Sequence, residues 1–420
     1  MKKLAVWYVA GLLMAVVIFQ PAMVYYVFNK FKDTLVVSGL VVLSLAFLYL
    51  HHERVRKAWL LWPWLIYLLY NLPSALFLLA RGEIPYTWIT WALAPGVFYL
   101  MVVETGKFPQ ATLYYRRSLA FLAVGQALAA MGVLFPLIGT DWFSSVSAGA
   151  VFNVELIRSN IWRVAEEGFE ALENPLLLFI NGTFEHSANL ALFSSMALFL
   201  IWLLIKNDPN TFLRRFYSIE IIFLLVVIIL TFSRGAWLGL ALALICLAPF
   251  QKTARRWLLG LTLMMTALLI FFPLARTMIV ERIQSEGTVI DRFVNYANAL
   301  SVWNESPIWG VGFGHYNQEL SQIGGQEVIN PHNDFLLHLA EGGVVGLLIY
   351  LSIFWTFIYK AWRSKIAIRL SQESENILFS GLAILICYLV FVLTSPGQSM
   401  LSILFILMAI WEIDLKHEYF

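Results

Sequence analysis

Polar residues cluster at the start of a long apolar stretch in the last third of the chain. His332, Asn333 and Asp334 are followed by His338 and Glu341. On a helix, Asp334, His338 and Glu341 share one face, and that face cannot point at lipid without a large cost. A histidine can take a proton from a hydroxyl nucleophile near neutral pH, so His332 is the candidate catalytic residue. Asn333 and Asp334 fit substrate binding or helix capping, whereas hydrogen bonding inside a bundle is favoured for His338 and Glu341.

A single arginine interrupts the apolar run of residues 216–250, which is too long for one membrane crossing. Arg234 lies between Ser233 and Gly235 in the middle of that run, where a tight hairpin between two helices would fit. Its guanidinium group carries a fork of N–H donors that matches phosphate oxygens. Arg234 is therefore either a pyrophosphate ligand or a helix-end arginine that reaches the membrane interface or pairs with a carboxylate.

Two further sets of residues give weaker signals. His186 and Asn189 lie one helical turn apart, and they either line a cavity near the outer surface or cap and pack a helix. Glycines alternate over 310–314, but no strand and helix flank them, so a dinucleotide-binding loop is rejected in favour of a flexible turn beside the site. Gly342 and Gly346 form a small-xxx-small pair, which predicts close helix packing.

The framework that carries these residues must lie mostly in lipid. Hydrophobic residues make up 60% of the 420 residues, charged residues only 13%, and the mean hydropathy is +0.76. Soluble domains carry about 25% charged residues. The fold class predicted is therefore an all-α integral membrane protein, a single polytopic domain over 1–420 with about twelve transmembrane helices. The predicted spans are 4–22, 34–50, 58–80, 86–103, 118–138, 186–205, 216–232, 234–250, 256–275, 334–360, 377–395 and 398–414.

The positions of Lys and Arg predict the orientation. With the N-terminus in the cytoplasm, 19 of the 28 basic residues fall on the cytoplasmic side, and every cytoplasmic loop contributes. Both termini are then cytoplasmic. Two long loops, 139–185 and 276–333, face outward, and both contain amphipathic stretches, one of them from Arg292 to Trp303.

Three segments of this chain resemble the O-antigen ligase/polymerase family of bacterial envelopes, and together they span roughly 182–350. They are the Ser-Arg-Gly hairpin within 231–239, the Pro-x-x-Gly-x-Gly loop of 307–314 and the His-Asn-x-x-Leu helix start of 332–336. The order of these segments and their common outward placement make the set more specific than any one motif.

The resemblance implies a metal-independent, cofactor-free C-type glycosyltransferase in the bacterial inner membrane, with its active site on the extracytoplasmic side. The donor would be a glycan on undecaprenyl pyrophosphate, and the acceptor a sugar hydroxyl of lipid A core or of a second lipid-linked glycan. The protein would also contact membrane lipid, and it would not bind nucleic acid. By this resemblance Arg234 would bind the donor pyrophosphate with Arg292, or else Arg276, and His332 would orient or deprotonate the acceptor.

Three alternatives remain open at this stage. Ligase and polymerase are not separated by the sequence. A transporter or flippase of lipid-linked glycans would need charges deep in the bilayer, for which Glu220 and Glu341 are the candidates. A structural scaffold of envelope assembly would be insensitive to replacement of His332.

Overall fold

A computed structural model of the chain describes residues 6–12, 31–50, 55–82, 88–108, 110–132, 187–271, 276, 286–324, 331–367 and 372–417. These residues form helices joined by short turns, and no strand occurs among them. The first long outer loop, 139–185, lies outside the described residues. The helices are α1 Phe31–Leu50, α2 Leu61–Tyr70, α3 Leu72–Ala80, α4 Ala94–Thr105, α5 Ala111–Gly132, α6 Ser187–Asn207, α7 Thr211–Leu230, α8 Arg234–Leu247, α9 Lys252–Phe271, α10 Glu286–Glu305, α11 Tyr316–Gln322, α12 Asp334–Ala367, α13 Gln372–Val392 and α14 Leu401–His417.

The all-helical class is as predicted, and the helices overlap the predicted spans from 34–50 onward. Within the described part of the chain, six helical segments are long and apolar enough to cross a membrane. The count of twelve spans therefore stays a prediction, although the shorter helices Gly39–Leu50 and Arg234–Leu247 are also apolar. The six segments are Leu61–Ala80, Trp88–Thr105, Ser187–Asn207, Ala254–Phe271, Asp334–Arg363 and Glu373–Val392.

The apolar run 216–250 folds back on itself at the predicted hairpin. Helix α7 ends at Leu230 and α8 begins at Arg234, with Ser233 as N-cap accepting a hydrogen bond from the N–H of Ala236 at 3.4 Å. Phe232 between them has a φ of 50°, which few non-glycine residues adopt. The indole N–H of Trp237 donates to the Ile228 carbonyl at 2.8 Å and closes the hairpin.

The longest helix, α12, is broken at Gly343, whose φ of 61° and ψ of −168° are not helical. The break frees the carbonyls of Ala340 and Glu341, which accept hydrogen bonds from the glycine loop, residues 307–314, at 3.1 and 2.9 Å. Beyond the break, the next two backbone N–H groups donate to carbonyls of the same loop at 3.0 and 3.2 Å. The glycine loop forms a turn as predicted, and these four hydrogen bonds attach it to α12.

Two glycines make this attachment possible. A Cβ atom at Gly343 would overlap the backbone of Ile308, and one at Gly310 would overlap the carbonyl of Glu341. Both residues have positive φ, which side chains rarely adopt. The two backbones therefore lie in contact only because neither residue has a side chain.

Gly342 and Gly346 of α12 pack against α2, which confirms the predicted close helix packing. The Tyr70 hydroxyl shares its one hydrogen between the carbonyl of Gly342, at 2.7 Å, and that of Trp309, at 3.0 Å. A Cβ atom at Gly346 would come within 2.9 Å of the Tyr70 ring. Helix α2 is thereby fixed to α12 and to the glycine loop together.

At the other end of the bundle, charges from several helix ends pair with one another. Arg117 at the start of α5 donates to both oxygens of Asp208, which follows α6, at 2.8 and 2.7 Å. Arg116 pairs with Asp414 of α14, and Asn207 donates to Glu373 of α13 at 2.9 Å. The sequence had assigned these helix ends to one side of the membrane, and they meet in one region of the fold.

The second long loop of the sequence prediction contains two helices. Helix α10 covers the amphipathic stretch from Arg292 to Trp303, and α11 follows the glycine loop. Helix α10 packs against both α11 and α12, so this segment is part of the folded bundle.

Candidate active site at the arginine cleft

Two arginines that are distant in sequence line one open cleft. Its volume is about 260 Å³. Arg234 comes from the start of α8, and Arg292 comes from α10. The two guanidinium charges are close enough to act on each other. The complete lining, here called the arginine cleft, is Arg234, Gly235, Leu238, Arg292, Phe293, Tyr296 and Thr394.

The start of α8 brings Arg234 to the rim of this cleft. Ser233 caps the helix, so Arg234 occupies its first turn, where unpaired backbone N–H groups favour anions. Gly235 lies against the hydroxyl of Thr394, and a Cβ atom there would overlap it. One turn further, Gly239 lies against the backbone of Cys387, so α8 and α13 are in close contact along this side.

Tyr296 fixes the other wall of the cleft. It follows Arg292 by four residues, so both side chains lie on the same face of α10. The Tyr296 hydroxyl donates to the carbonyl of Leu393, just beyond the end of α13, at 3.2 Å. The ring of Phe293 is 6.3 Å from that of Tyr296 in an edge-on arrangement, and it is exposed.

His332 lies two residues before the first residue of α12. It is exposed and has a φ of 55°, an uncommon value for a residue with a side chain. Such strain often marks functional sites, since the surrounding structure must maintain it. Asn333 is the N-cap, because its side-chain oxygen accepts the N–H groups of Phe335 and Leu336 at 3.0 and 3.1 Å. Capping therefore accounts for Asn333 but not for His332.

Asp334 links the start of α12 to the connection between α13 and α14. Its side chain is fully buried, and its Oδ2 accepts a hydrogen bond from the N–H of Gly397 at 3.0 Å. This connection, residues 393–397, also carries Thr394 of the arginine cleft. The connection therefore lines the cleft at Thr394 and, at Gly397, contacts the residue two positions after His332.

The other polar residues of this helix face are buried among aromatic rings. The His338 ring stacks on Phe313 at 6.3 Å and lies 3.9 Å from the ring of Tyr350. The Oε1 of Glu341 accepts a hydrogen bond from the N–H of Tyr316 at 3.4 Å. Burial, followed by the nearby carboxyl of Glu341, raises the pKa of Tyr316 to about 12. His338 and Glu341 therefore contribute to packing inside the bundle, which is the role that the sequence analysis favoured for them.

Two other predicted site residues, Arg276 and Asn189, do not join this group. Arg276 is exposed and is not part of the cleft lining. Asn189 is buried in the first turn of α6. His186 lies outside the described residues. Of the two loop arginines considered as partners for Arg234, Arg292 is the one that shares its cleft.

Outside the hairpin motif of 231–239, sequence reasoning missed three residues of the cleft lining. Phe293 and Tyr296 could have been found, because they lie beside Arg292 on the amphipathic stretch that the sequence marked. Thr394 had no such signal, since it stands in a short break between two apolar runs and is brought to the cleft by helix packing alone.

Two comparisons with known proteins each find a match to this chain. Residues 219–351, which contain Arg234, Arg292 and His332, match the family model described as O-antigen ligase. The chain is also 26% identical over 269 residues to a protein of Pseudomonas aeruginosa called O-antigen ligase, in an alignment that covers 62% of this chain. The aligned part spans 60% of the length of that relative. Residues 219–351 of this chain are thus similar to the O-antigen ligase family.

Proposed function

We propose that the protein transfers a glycan from undecaprenyl pyrophosphate to a sugar hydroxyl in the bacterial inner membrane. The observation that carries this proposal is the shared cleft of Arg234 and Arg292, joined through residues 393–397 to the helix start beside His332. Similarity to the O-antigen ligase family supports a glycan-transferring role. The name of the Pseudomonas aeruginosa relative supports action on O-antigen.

The arginine cleft suits a pyrophosphate. Each guanidinium group can donate two parallel hydrogen bonds to phosphate oxygens. Two like charges facing one cleft repel each other, and a pyrophosphate between them would offset that repulsion. During transfer the bond from the sugar anomeric carbon to the phosphate oxygen breaks, and negative charge develops on the leaving pyrophosphate. Fixed positive groups at this position stabilise that charge as it forms.

His332 suits the acceptor side of the reaction. The acceptor hydroxyl oxygen forms the new bond to the anomeric carbon, and its proton must leave. A neutral imidazole within hydrogen-bond reach can take that proton. His332 is exposed just before the start of α12, so a bulky, membrane-anchored acceptor could reach its side chain. Arg276, His186, Asn189, Asn333 and Asp334 stay predictions as substrate ligands.

The same proposal includes the orientation. Both termini and the paired charges around Arg117 and Asp208 would lie on the cytoplasmic side. The arginine cleft and His332 would lie on the extracytoplasmic side. The distribution of Lys and Arg supports this arrangement.

A cell experiment tests the proposal and separates ligase from polymerase. Variants His332→Ala, His332→Gln and Arg234→Ala would be expressed in a strain that lacks the native protein, beside Arg363→Ala. Arg363 is an exposed arginine near the far end of α12, and its variant serves as a matched control. Membrane levels of each variant would be measured first, and surface glycan would then be separated on a gel.

Three outcomes are distinguishable. Loss of long glycan from its acceptor, with accumulation on undecaprenyl pyrophosphate, supports a ligase. Surface glycan limited to single repeats supports a polymerase. Normal glycan in His332→Ala and Arg234→Ala contradicts the proposal and favours a scaffold.

A transporter of lipid-linked glycans is the second candidate. The buried carboxyl groups of Glu220 and Glu341 favour it, because ionisable residues inside apolar helices often mark transport paths. An assay of glycan transfer in detergent micelles distinguishes the transferase from the transporter. A transporter only moves its substrate between two compartments, so it forms no covalent product in micelles.

A further inference from the structure

We propose that Asp334 is a positioning residue that holds the 393–397 connection against the start of α12, and so fixes the arginine cleft relative to His332. The inference rests on the proposed function and deepens it. Asp334 would act through the backbone of the connection, and this positioning role would replace the substrate contact predicted for Asp334 from the sequence.

The contact between Asp334 and the connection is direct and buried. Asp334 has 0% exposure, and its Oδ2 accepts the N–H of Gly397 at 3.0 Å. The carbonyl of Gly397 accepts a hydrogen bond from the Tyr388 hydroxyl at 3.4 Å. A buried N–H that loses its acceptor is costly, because water cannot replace the partner. Removing the carboxyl group should therefore displace the connection.

Gly397 is packed so closely that there is no space for a side chain at this position. A Cβ atom there would overlap the side chain of Val392 and come within 3.4 Å of the Asp334 carboxyl group. Its φ is −113°, so the requirement is for space and not for an unusual backbone conformation. The connection therefore fits closely between the end of α13 and the start of α12.

The opposite end of the connection forms part of the arginine cleft. Thr394 lines the cleft and lies against Gly235, the residue next to Arg234. Leu393 accepts the hydrogen bond of Tyr296, one turn after Arg292 on α10. Three helices that carry the candidate catalytic and binding groups thus meet at five consecutive residues. A shift of the connection would move the arginines and His332 relative to each other.

Burial separates Asp334 from the residues proposed to touch substrate. Its neighbour His332 is exposed, whereas Asp334 is enclosed and is not part of the cleft lining. A misplacement of about 1 Å between reacting groups can reduce a rate by about 100-fold. Asp334 can therefore strongly affect transfer from a buried position.

The test combines amide hydrogen exchange with transfer kinetics on the purified full-length protein in micelles. The variants are Asp334→Ala, Asp334→Asn and Gly397→Ala, and Gly125→Ala is the matched glycine control because it faces open space on α5. Asp334→Asn keeps an acceptor oxygen for the Gly397 N–H. Gly397→Ala leaves every side chain of the site unchanged. Exchange is followed in a peptide covering 393–400, with a peptide from α6 as reference for global unfolding.

The inference predicts faster exchange in 393–400, but not in α6, for Asp334→Ala and Gly397→Ala. The same two variants should lose about 100-fold in kcat while the KM for undecaprenyl-pyrophosphate-linked glycan stays nearly constant. Asp334→Asn should retain most of both properties. Gly125→Ala should match the wild type.

Two results overturn the inference alone. One is unchanged exchange of 393–400 in both Asp334→Ala and Gly397→Ala. The other is an Asp334→Asn variant as inactive as Asp334→Ala, which would mean that the charge of Asp334 acts directly. If exchange changes as expected but no variant, His332→Ala and Arg234→Ala included, alters transfer, the proposed function fails and this role fails with it.

Discussion

Arg234, the first residue of α8, and Arg292 of α10 line the same cleft, and their positive charges act on each other. Nothing in the local sequence of either residue indicates this relationship. It arises because α8 packs on α13, and because Tyr296 binds α10 to the residue that follows α13. The cleft is therefore a product of tertiary packing.

Replacing either arginine with lysine should weaken binding of undecaprenyl pyrophosphate while keeping the net charge. A lysine is a single charged point and cannot donate two parallel hydrogen bonds to one phosphate. Each lost charged hydrogen bond is worth about 1.5–3 kcal/mol, so Kd should rise about 10- to 100-fold for Arg234→Lys and for Arg292→Lys. Titration calorimetry in micelles measures this effect. Arg363→Lys should bind like the wild type, and an unchanged Kd in both cleft variants would show that the cleft is not the pyrophosphate site.

Alanine at Gly343 or Gly310 should destabilise the fold. Either methyl group would overlap backbone atoms of the opposing segment, at a position with positive φ. Strain of this kind costs about 1–3 kcal/mol. The apparent Tm in detergent should fall for both variants, whereas Gly260→Ala, which faces open space on α9, should leave it unchanged. A wild-type Tm for Gly343→Ala would mean that the break in α12 is not required.

The pair of Arg117 and Asp208 should make stability depend on pH in the acid range. Burial raises the pKa of Asp208, but hydrogen bonds from Arg117 and from the Asn210 N–H outweigh it and hold the pKa below its ordinary value. Stability from this group is present above the unfolded pKa of about 3.9 and is lost as the pH falls through the lower folded value. Thermal unfolding of wild type between pH 6 and 3 should show this loss.

Asp208→Asn is the matched comparison for that pH series. It should be less stable at pH 6 by about 2 kcal/mol, because the charged hydrogen bonds from Arg117 are weakened. Its stability should also change less with pH. Parallel pH curves for the two proteins would exclude Asp208 as the titrating group.

The proposed orientation predicts which surfaces an impermeant thiol reagent reaches. Ser321 on α11 and Arg255 on α9 are both exposed, and they belong to opposite sides in the proposal. With Cys246 and Cys387 replaced, a cysteine at 321 should be labelled in cells whose outer membrane alone is permeabilised. A cysteine at 255 should react only after the inner membrane is opened. The reverse labelling pattern would invert the proposed topology.

Local signals predicted much of the fold. Apolar length predicted the helices, and Ser233-Arg234-Gly235 predicted the hairpin because a run of that length cannot be one span. The small residues Gly342 and Gly346 predicted close packing, which Tyr70 provides. The break at Gly343 was not predicted, because a glycine in an apolar helix usually indicates packing, and only the opposing glycine loop requires the break.

The candidate site was predicted less completely. His332 and Arg234 were identified by residue chemistry and position, whereas the motifs did not decide between Arg292 and Arg276 as the second arginine. The hydrogen bond from Gly397 to Asp334 joins segments that no spacing relates, and Thr394 reaches the cleft by the same packing. Contacts of this kind depend on how the helices assemble, so a single sequence does not reveal them.

The most direct test of the central claim is glycan transfer by purified protein in micelles, with a labelled undecaprenyl-pyrophosphate-linked glycan and either lipid A core or a second lipid-linked glycan as acceptor. The account predicts a covalent glycan product with the wild type and Arg363→Ala. It also predicts a loss of at least about 100-fold in rate with His332→Ala and with Arg234→Ala. Transfer at the wild-type rate by both of these variants, or no transfer by the wild type to either acceptor, would contradict it.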